Sequence, residues 1–407
     1  MSTDDAKSTA RRRPAGLLRG LPTGIWGLGL TSMFMDISSE LVHSLLPLLM
    51  SGVLGASMLT IGLVEGFAEA TTSIVKLFSG TLSDRWGRRR PLLLLGYGLA
   101  ALTKPVFPLA GSMAAVAAAR CIDRVGKGIR GAPRDALIAD ITPPGARGAA
   151  YGLRQGLDSL GAALGPLLAI VCMLWLAGNI RAVLWVGVAP AFVAVALLLW
   201  LVREPTAVPH AAPRTAVLSI AELRRLSVRY WYVTALGALF TLARFSEAFL
   251  VLRAQQSGLA PTFVPLVMVV MNVIYAGAAY PAGRAADRRD PQALLLTGLL
   301  LLVGADLVLA RAGSARAVLC GAALWGLHMA LTQGLFAKLV ANAAPAELRG
   351  TAFGVFNFVT GITVLLSSAT AGALWNAYGS AATFIAGALF ALLTAMGLLF
   401  APLSEVH

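Results

Sequence analysis

The sequence predicts an all-α integral membrane protein with twelve transmembrane helices, arranged as two pseudo-symmetric six-helix bundles. The first observation behind this prediction is composition. Of the 407 residues, 57% are hydrophobic and 13% are charged, whereas a soluble domain carries about 25% charged residues. The second observation is a series of long apolar segments, and the third is an internal repeat. The sequence lacks the residue alternation typical of a membrane β-barrel, so helices are predicted.

Twelve apolar segments are separated by short stretches that contain Gly, Pro and Arg. Each is long enough for a helix that crosses a bilayer, which needs about 20 residues. The predicted spans are 24–50, 57–79, 91–110, 113–133, 148–176, 180–202, 228–252, 261–282, 292–312, 315–341, 350–375 and 379–402. The chain is thereby divided into a cytoplasmic tail (1–23), an N-terminal bundle (24–202), a cytoplasmic linker (203–227) and a C-terminal bundle (228–407).

Lysine and arginine lie mostly on one side of these spans. With the N-terminus inside, the inner segments hold 24 of these residues and the outer loops hold four. Because positive residues accumulate on the cytoplasmic side of membrane proteins, we expect both termini in the cytoplasm. These loops also account for the net charge of +14, so the expected partner is the lipid bilayer and not nucleic acid.

Two motifs recur in the second half of the chain at nearly the same offset. The pattern Gly-x-x-x-Asp-Arg follows the second and eighth spans, and a pattern that begins Arg-Gly opens the fifth and eleventh spans. The copies begin at Gly80 and Gly283, and at Arg147 and Arg349, which are 203 and 202 residues apart. A shared offset indicates a duplication of six spans, an organisation common in transporters that bind substrate between the repeats.

Segment 80–90, GTLSDRWGRRR, resembles motif A, the signature of the major facilitator superfamily in the loop between spans 2 and 3. Span 5 resembles motif C, the antiporter signature, and Arg120 with the residues after it matches motif B in part. Segment 123–140 resembles a prokaryotic subgroup of the superfamily, which implies that the spans lie in a prokaryotic inner membrane. The resemblance covers essentially the whole chain and implies the major facilitator fold, transport by alternating access and no cofactor. Motif C favours the drug:proton antiporter branch.

Two sets of motif residues are expected to govern conformation. Motif A should form a latch between the halves on the cytoplasmic side, because an acid near a helix N-terminus can cap it and accept bonds from arginine. This gating set comprises Gly80, Asp84, Arg85, Gly87, Arg88, Asp287 and Arg288. The small residues of motif C should allow close helix packing. They are Gly152, Gly161, Gly165 and Pro166.

Ionisable residues inside the spans indicate the transport site, since a charge at mid-bilayer costs about 2.5–3.5 kcal/mol or more on insertion scales. We expect proton coupling at Asp36 and Glu40, which share one face of span 1, and at Asp158 in span 5. The expected substrate-cavity residues are Glu65, Glu69, Arg120, Asp123, Arg244 and Glu247.

The sequence also suggests partners for several of these charges. Arg120 is expected to pair with an acid of span 1 or with a substrate group. Arg244 and Glu247 are three residues apart, a spacing at which they can pair with each other. The ammonium group of Lys104 is expected to extend toward the membrane surface. Asp306, in a span that the resemblance places at the periphery, is expected to be structural.

The leading prediction is a proton-coupled efflux antiporter for a small organic compound, acting as a monomer. One alternative is a proton-coupled nutrient symporter. The other is an exporter of a metal ion or metal chelate, because His43 shares a helix face with Asp36 and Glu40, and such ligands suit divalent transition metals. No second cluster of metal ligands accompanies these three residues. Separately, the excess of intramembrane acids over bases favours cationic or neutral cargo. No HExxH, Gly-x-Ser-x-Gly or Ser/His/Asp pattern occurs, so an enzyme is not expected.

Overall fold

The computed structural model describes residues 21–204, 223–288, 290–345 and 348–400. The side chains of Asp84, Asp287 and Arg288, which belong to the predicted gating set, lie outside the described part, as does most of the predicted linker. Within the described residues the regular secondary structure is entirely helical. The predicted all-α membrane architecture is therefore confirmed.

Twelve helical units, α1–α12, follow one another in the described part of the chain. The N-terminal half contains α1 (Thr23–Leu48, continued by the π-helical turn Leu49–Val53), α2 (Met58–Trp86), α3 (Arg90–Thr103 and Val106–Leu109), α4 (Met113–Ile141), α5 (Arg147–Trp175) and α6 (Ile180–Val186 and Val188–Leu201). The C-terminal half contains α7a (Val228–Ala243), α7b (Ala248–Gln256), α8 (Leu266–Arg288), α9 (Pro291–Arg311), α10a (Ala315–Thr332), α10b (Leu335–Ala343), α11 (Arg349–Tyr378) and α12 (Ser380–Leu399).

Eleven of these units are long and apolar enough to cross a membrane. The twelfth, α4, has the length for a span but carries eight charged residues among its 29. It also continues to Ile141, beyond the predicted end of span 4 at residue 133. A helix this charged is tolerated in a bilayer only when its polar face turns toward protein or a cavity, so α4 marks the polar interior of the N-terminal half.

Two helices of the C-terminal half are interrupted. The break in α7 leaves Arg244, Phe245 and Ser246 outside the helix, and α11 compensates for it with two serines. Ser368 Oγ accepts a hydrogen bond from the Ser246 amide at 3.2 Å, and Ser367 Oγ donates to the Leu242 carbonyl at 3.0 Å. Irregular backbone at membrane depth requires such partners, so the break is built into the fold.

Helices α1 and α5 approach closely through the glycines of motif C. A Cβ atom at Gly161 would lie 2.6 Å from the Met33 carbonyl oxygen, and one at Gly165 would lie 2.7 Å from that of Ile37. Gly152, by contrast, faces open space. Gly161 and Gly165 therefore allow the backbone contact that places the acidic face of α1 against α5.

The two halves meet chiefly along α2 with α11 and along α5 with α8. On the side opposite the termini, Asn376 Oδ1 accepts a hydrogen bond from the Met58 amide at 3.1 Å. Nearer the middle, Asn272 Nδ2 donates to the Ala162 carbonyl at 2.9 Å. Gly62 of α2 lies against the Ser368 carbonyl of α11. These contacts join the halves away from the termini.

Candidate substrate cavity

A cavity of about 430 Å³ lies between the two halves. The N-terminal half contributes a charged wall, made of Glu40, His43, Glu69, Arg124 and Lys127. The C-terminal half contributes a largely aromatic and polar wall, which includes Phe240, Arg244, Phe245, Glu247, Asn272 and Trp325. A second space of about 430 Å³ shares Phe240 and Arg244 and continues along α10b and the first part of α11, toward the side of the termini.

A buried ion pair lies behind the charged wall, and its two members, which the sequence predicted to line the cavity, do not line it. Arg120 of α4 donates to Glu65 of α2 at 2.7 Å, and each side chain is about 1% exposed. His43 of α1 stands between two acids, with Nε2 3.8 Å from Glu65 and Nδ1 3.7 Å from Glu40. Arg120 thus pairs with an acid of α2, which corrects the prediction that it pairs with an acid of span 1. Glu40 faces the imidazole.

Two further pairs hold α4 in place. Arg124 contacts Glu69 at 2.9 Å. Lys104 of α3 contacts Asp123 at 2.8 Å and also donates to Ser39 of α1 at 3.1 Å. Lys104 is 1% exposed, so the prediction that its ammonium group reaches the membrane surface is wrong. A neighbouring helix supplies the carboxylate that the ammonium group needs, which makes burial tolerable.

The predicted proton-coupling residues have different surroundings. Asp158 of α5 is paired, since Arg154 contacts it at 2.6 Å and Arg134 at 3.8 Å. Asp36 of α1 faces α5 beside Gly161, and within the described residues no cationic side chain lies within 4 Å of it. The structure therefore separates an arginine-bound acid on α5 from the acids on α1.

The C-terminal wall carries two charges and a cluster of rings. Among the described side chains, Arg244 and Glu247 make no ion pair within 4 Å, in contrast to the pairing that their spacing suggested. The Arg244 guanidinium instead lies over the Phe240 ring, 5.6 Å from its centroid. Phe245 packs against Trp325 with ring centroids 5.6 Å apart. The break in α7 directs Arg244 and Glu247 into the cavity from the two ends of a non-helical turn.

Sequence reasoning missed several residues of the cavity. Lys127 and Arg124 are not among the predicted cavity residues, although their position on a span-length helix rich in charge indicates an interior face. Asn272 is not among the predicted residues either, although an amide in the middle of an apolar span indicates a position that faces the protein interior. The aromatic residues Phe240 and Trp325 carry no such signal, because rings are common in every span.

The metal hypothesis places His43, Asp36 and Glu40 on one face. The structure brings His43 within 4 Å of Glu40 and Glu65, and among the described side chains no such contact joins His43 to Asp36. Within the described part of the chain, no group of three or more His, Cys, Asp or Glu side chains is arranged to hold a metal ion.

The loop of the gating set is partly described. Gly87 ends α2 in the left-handed conformation, with φ of 64°, which explains why glycine is needed at this turn. Nearby, Arg89 contacts Asp140 of α4 at 2.6 Å. The amides of Arg89 and Arg90 donate to the Glu204 carboxylate at 2.7 and 2.9 Å, which caps the start of α3 and ties this loop to the end of α6.

Comparison with known proteins agrees with this architecture. The family model described as Major Facilitator Superfamily matches residues 28–368 and 244–406. An uncharacterised MFS-type transporter from Methanocaldococcus jannaschii is 29% identical over 388 residues, covering 94% of this chain and 96% of the relative. Multidrug resistance protein MdtH from Edwardsiella ictaluri is 24% identical over 341 residues, covering 83% of each chain.

Solved structures show the same fold. A POT family transporter in complex with a thioalcohol-conjugated peptide superposes with a TM-score of 0.80 at 12% identity, covering 96% of this chain and all of the other. At this identity the likeness establishes the fold alone. The family match spans nearly the whole described chain. In the structure the cavity lies between two halves of six helical units each. The chain belongs to the Major Facilitator Superfamily and is a membrane transporter of that family.

Proposed function

We propose that this transporter is a proton-coupled antiporter that exports a small organic compound by alternating access. The observation that carries the proposal is the division of the acids around the cavity. Glu65, Glu69, Asp123 and Asp158 each contact an arginine or lysine, whereas Glu40 contacts a histidine. A carboxylate in a partly dry cavity without a strong cation is suited to take up and release a proton.

Alternating access is supported by the position of the contacts between the halves. The bonds from Asn376 and Asn272 join the halves away from the termini, and the cavity continues toward the side of the termini. We propose that the spans lie in a prokaryotic inner membrane with both termini in the cytoplasm, so the second space leads from the cavity toward the cytoplasm. Helices α2 and α11 stay in contact on that side, where a Cβ atom at Gly354 would lie 3.0 Å from Leu77. Transport then requires the contacts of Asn376 and Asn272 to separate, while motif A closes the cavity on the cytoplasmic side. Each chain holds a complete cavity, which supports a functional monomer.

The cavity also bears on the cargo. The rings of Phe240, Phe245 and Trp325 offer an apolar wall, and an organic molecule can use it where a bare ion cannot. The acids that are paired with arginine or lysine contribute no free charge to substrate selectivity. The preference for cationic cargo that the excess of acids suggested is therefore weaker. Lys127 and Arg244 line the cavity without a carboxylate within 4 Å among the described residues, so a cargo with an acidic group is equally accommodated. The multidrug resistance relative supports export of organic compounds.

Proteoliposomes that contain the purified chain and a trapped pH-sensitive dye test this proposal. We expect that adding a transported compound from a panel that includes ethidium and fluorescein moves protons in the opposite direction, and that Glu40→Gln abolishes this movement. Asp290→Asn is a matched control, because Asp290 is exposed and caps the start of α9 away from the cavity. Cargo movement in the wild type without any proton movement would refute the coupling.

A further inference from the structure

Asp306 in α9 is a fully enclosed acid. Its relative exposure is 0%, and neither carboxyl oxygen has a hydrogen-bond partner among the described groups. Within the same residues no lysine or arginine lies within 4 Å. An ionised carboxylate in such a site would be costly, whereas a protonated carboxyl avoids the charge. A peripheral structural acid would be expected to have partners, so the sequence-based expectation for Asp306 does not account for this environment.

The carboxyl group shares its surroundings with Phe245. A Cβ atom at Gly387 of α12 would lie 2.7 Å from Asp306 Oδ2 and 3.0 Å from Phe245 Cε1. The Phe245 ring also packs against Phe384, with centroids 5.4 Å apart. Glycine at position 387 therefore leaves the room in which the acid and the ring meet, and a larger residue there would displace one of them.

Phe245 connects this enclosed site to the transport pathway. The ring lines the central cavity on one side and a narrow void of about 10 Å³, which Gly387 also lines, on another. A void of that order holds about one water-sized probe. Phe245 belongs to the non-helical turn between α7a and α7b, whose backbone is held at either side by the hydrogen bonds to Ser367 and Ser368 of α11.

The other helices around Asp306 supply no counter-ion. Helix α12 has no ionisable residue. On α10a, His328 Nδ1 is within 2.8 Å of the Gly298 carbonyl, and Arg316 is exposed at the far end of the helix. On α7b, Arg253 is engaged by backbone carbonyls, among them those of Leu309 at 2.8 Å and Ala312 at 2.7 Å. The charged residues of α8 begin at Arg284, near the start of α9.

We propose that Asp306 is a proton-binding site of the C-terminal half. It holds its proton while Phe245 covers it, and exchanges that proton with water in the central cavity when the α7 break moves the ring aside. In the exchange the carboxyl O–H bond breaks, the proton passes to water, and a carboxylate remains until reprotonation. This inference deepens the proposed coupling to protons and rests on it for its role in transport. Protonation and exchange at Asp306 can be measured without any cargo.

Infrared spectroscopy of the full chain in liposomes tests the proposal. We expect the wild type to show a protonated-carboxyl C=O band at neutral pH that is lost in Asp306→Asn and retained in the control Asp290→Asn. Transfer to D₂O should shift this band, and the shift should be faster in Phe245→Ala because the ring no longer covers the acid. A wild-type spectrum with no band attributable to Asp306 would overturn the proposal, as would a band that never shifts even in Phe245→Ala.

A second measurement needs no substitution at Asp306. Dicyclohexylcarbodiimide reacts with protonated carboxyls in apolar surroundings, and mass spectrometry locates the adduct in wild-type protein. An adduct on Asp306 that decreases at alkaline pH supports the site, and its complete absence refutes it. Failure of the coupling proposal is distinguishable, because wild-type vesicles would then show no cargo-driven proton movement while the band and the adduct of Asp306 remain.

Discussion

Arg120 and Glu65 form an ion pair of 2.7 Å between α4 and α2, and both side chains are almost completely buried. Because His43 also approaches Glu65 Oε2, the pair joins α1, α2 and α4 at one point. A pair in this position fixes the rotation of three helices around their axes. It is therefore expected to determine both the stability of the N-terminal half and the direction in which Glu40 points.

Removal of one partner is predicted to be more harmful than removal of both. Arg120→Ala or Glu65→Ala leaves an uncompensated buried charge, which costs about 3–5 kcal/mol, whereas replacing a buried pair with apolar residues is often neutral. We expect thermal unfolding of either single variant in detergent at a clearly lower temperature, with much of the loss recovered in the double variant Arg120→Met, Glu65→Leu. Equal stability of the single variants and the wild type would contradict the burial of this pair.

The glycines of motif C provide a second prediction. A methyl group at Gly161 meets the α1 backbone, so Gly161→Ala should destabilise the chain by about 1–3 kcal/mol through overpacking. Gly152→Ala is the matched control on the same helix, because a Cβ atom there meets nothing within 4 Å and alanine favours a helix by up to about 1 kcal/mol. Thermal unfolding of the two variants should change in opposite directions. A loss of similar size in both would show that packing against α1 is not the cause.

Much of the fold follows from the sequence because apolar length and turn residues are local signals. The break in α10 interrupts what the sequence predicted as one span over 315–341, and it falls at Gly334, whose φ of 77° is a conformation that glycine favours. The break in α7 has no such local signal, because Arg244, Phe245 and Ser246 include neither glycine nor proline. Its stabilising bonds come from serines on α11, more than 120 residues away, and no local pattern predicts such partners.

The sequence predicted which types of residue form the candidate site, but it predicted less well which side chains form ion pairs with each other. Helical spacing places Asp36 and Glu40 on one face of α1, but it does not fix which neighbouring helix each side chain meets. In the structure both residues lie against α5, Asp36 beside Gly161 and Glu40 beside Gly165, and the Glu40 carboxylate also approaches His43 of its own helix at 3.7 Å. The pair between Lys104 and Asp123 shows the same limit, because the rotation of α3 relative to α4 depends on tertiary packing.

A third prediction concerns the acids of α1. Glu40→Gln should abolish transport driven by a proton gradient while exchange of cargo without a gradient remains measurable, because the amide keeps the shape of the side chain but takes up no proton. Asp36→Asn should reduce gradient-driven transport in the same assay. Paired measurements of exchange and of uphill transport in proteoliposomes separate the two steps. Normal uphill transport in both variants would remove these acids from the mechanism.

Membrane orientation can be tested with two exposed glycines. Gly313 lies between α9 and α10a, and Gly145 lies between α4 and α5, and both have open space where a side chain would be added. In a background without native cysteines, a membrane-impermeant thiol reagent applied to intact cells should label Gly313→Cys and not Gly145→Cys. After the cells are permeabilised, both should react. Labelling of Gly145→Cys in intact cells would invert the proposed topology.

The last prediction separates an organic cargo from a metal ion. His43 lies 3.7 Å from Glu40 and 3.8 Å from Glu65, but Glu65 is already bound by Arg120, and a transition metal requires three or four well-placed ligands. His43→Ala should therefore retain most transport of an organic compound, because the aromatic wall and the charges of Lys127 and Arg244 are unchanged. Metal resistance and metal efflux should be equal in cells that produce the wild type or the variant at matched protein levels. Metal efflux by the wild type that His43→Ala eliminates would favour the metal exporter, since that route needs the imidazole as a ligand.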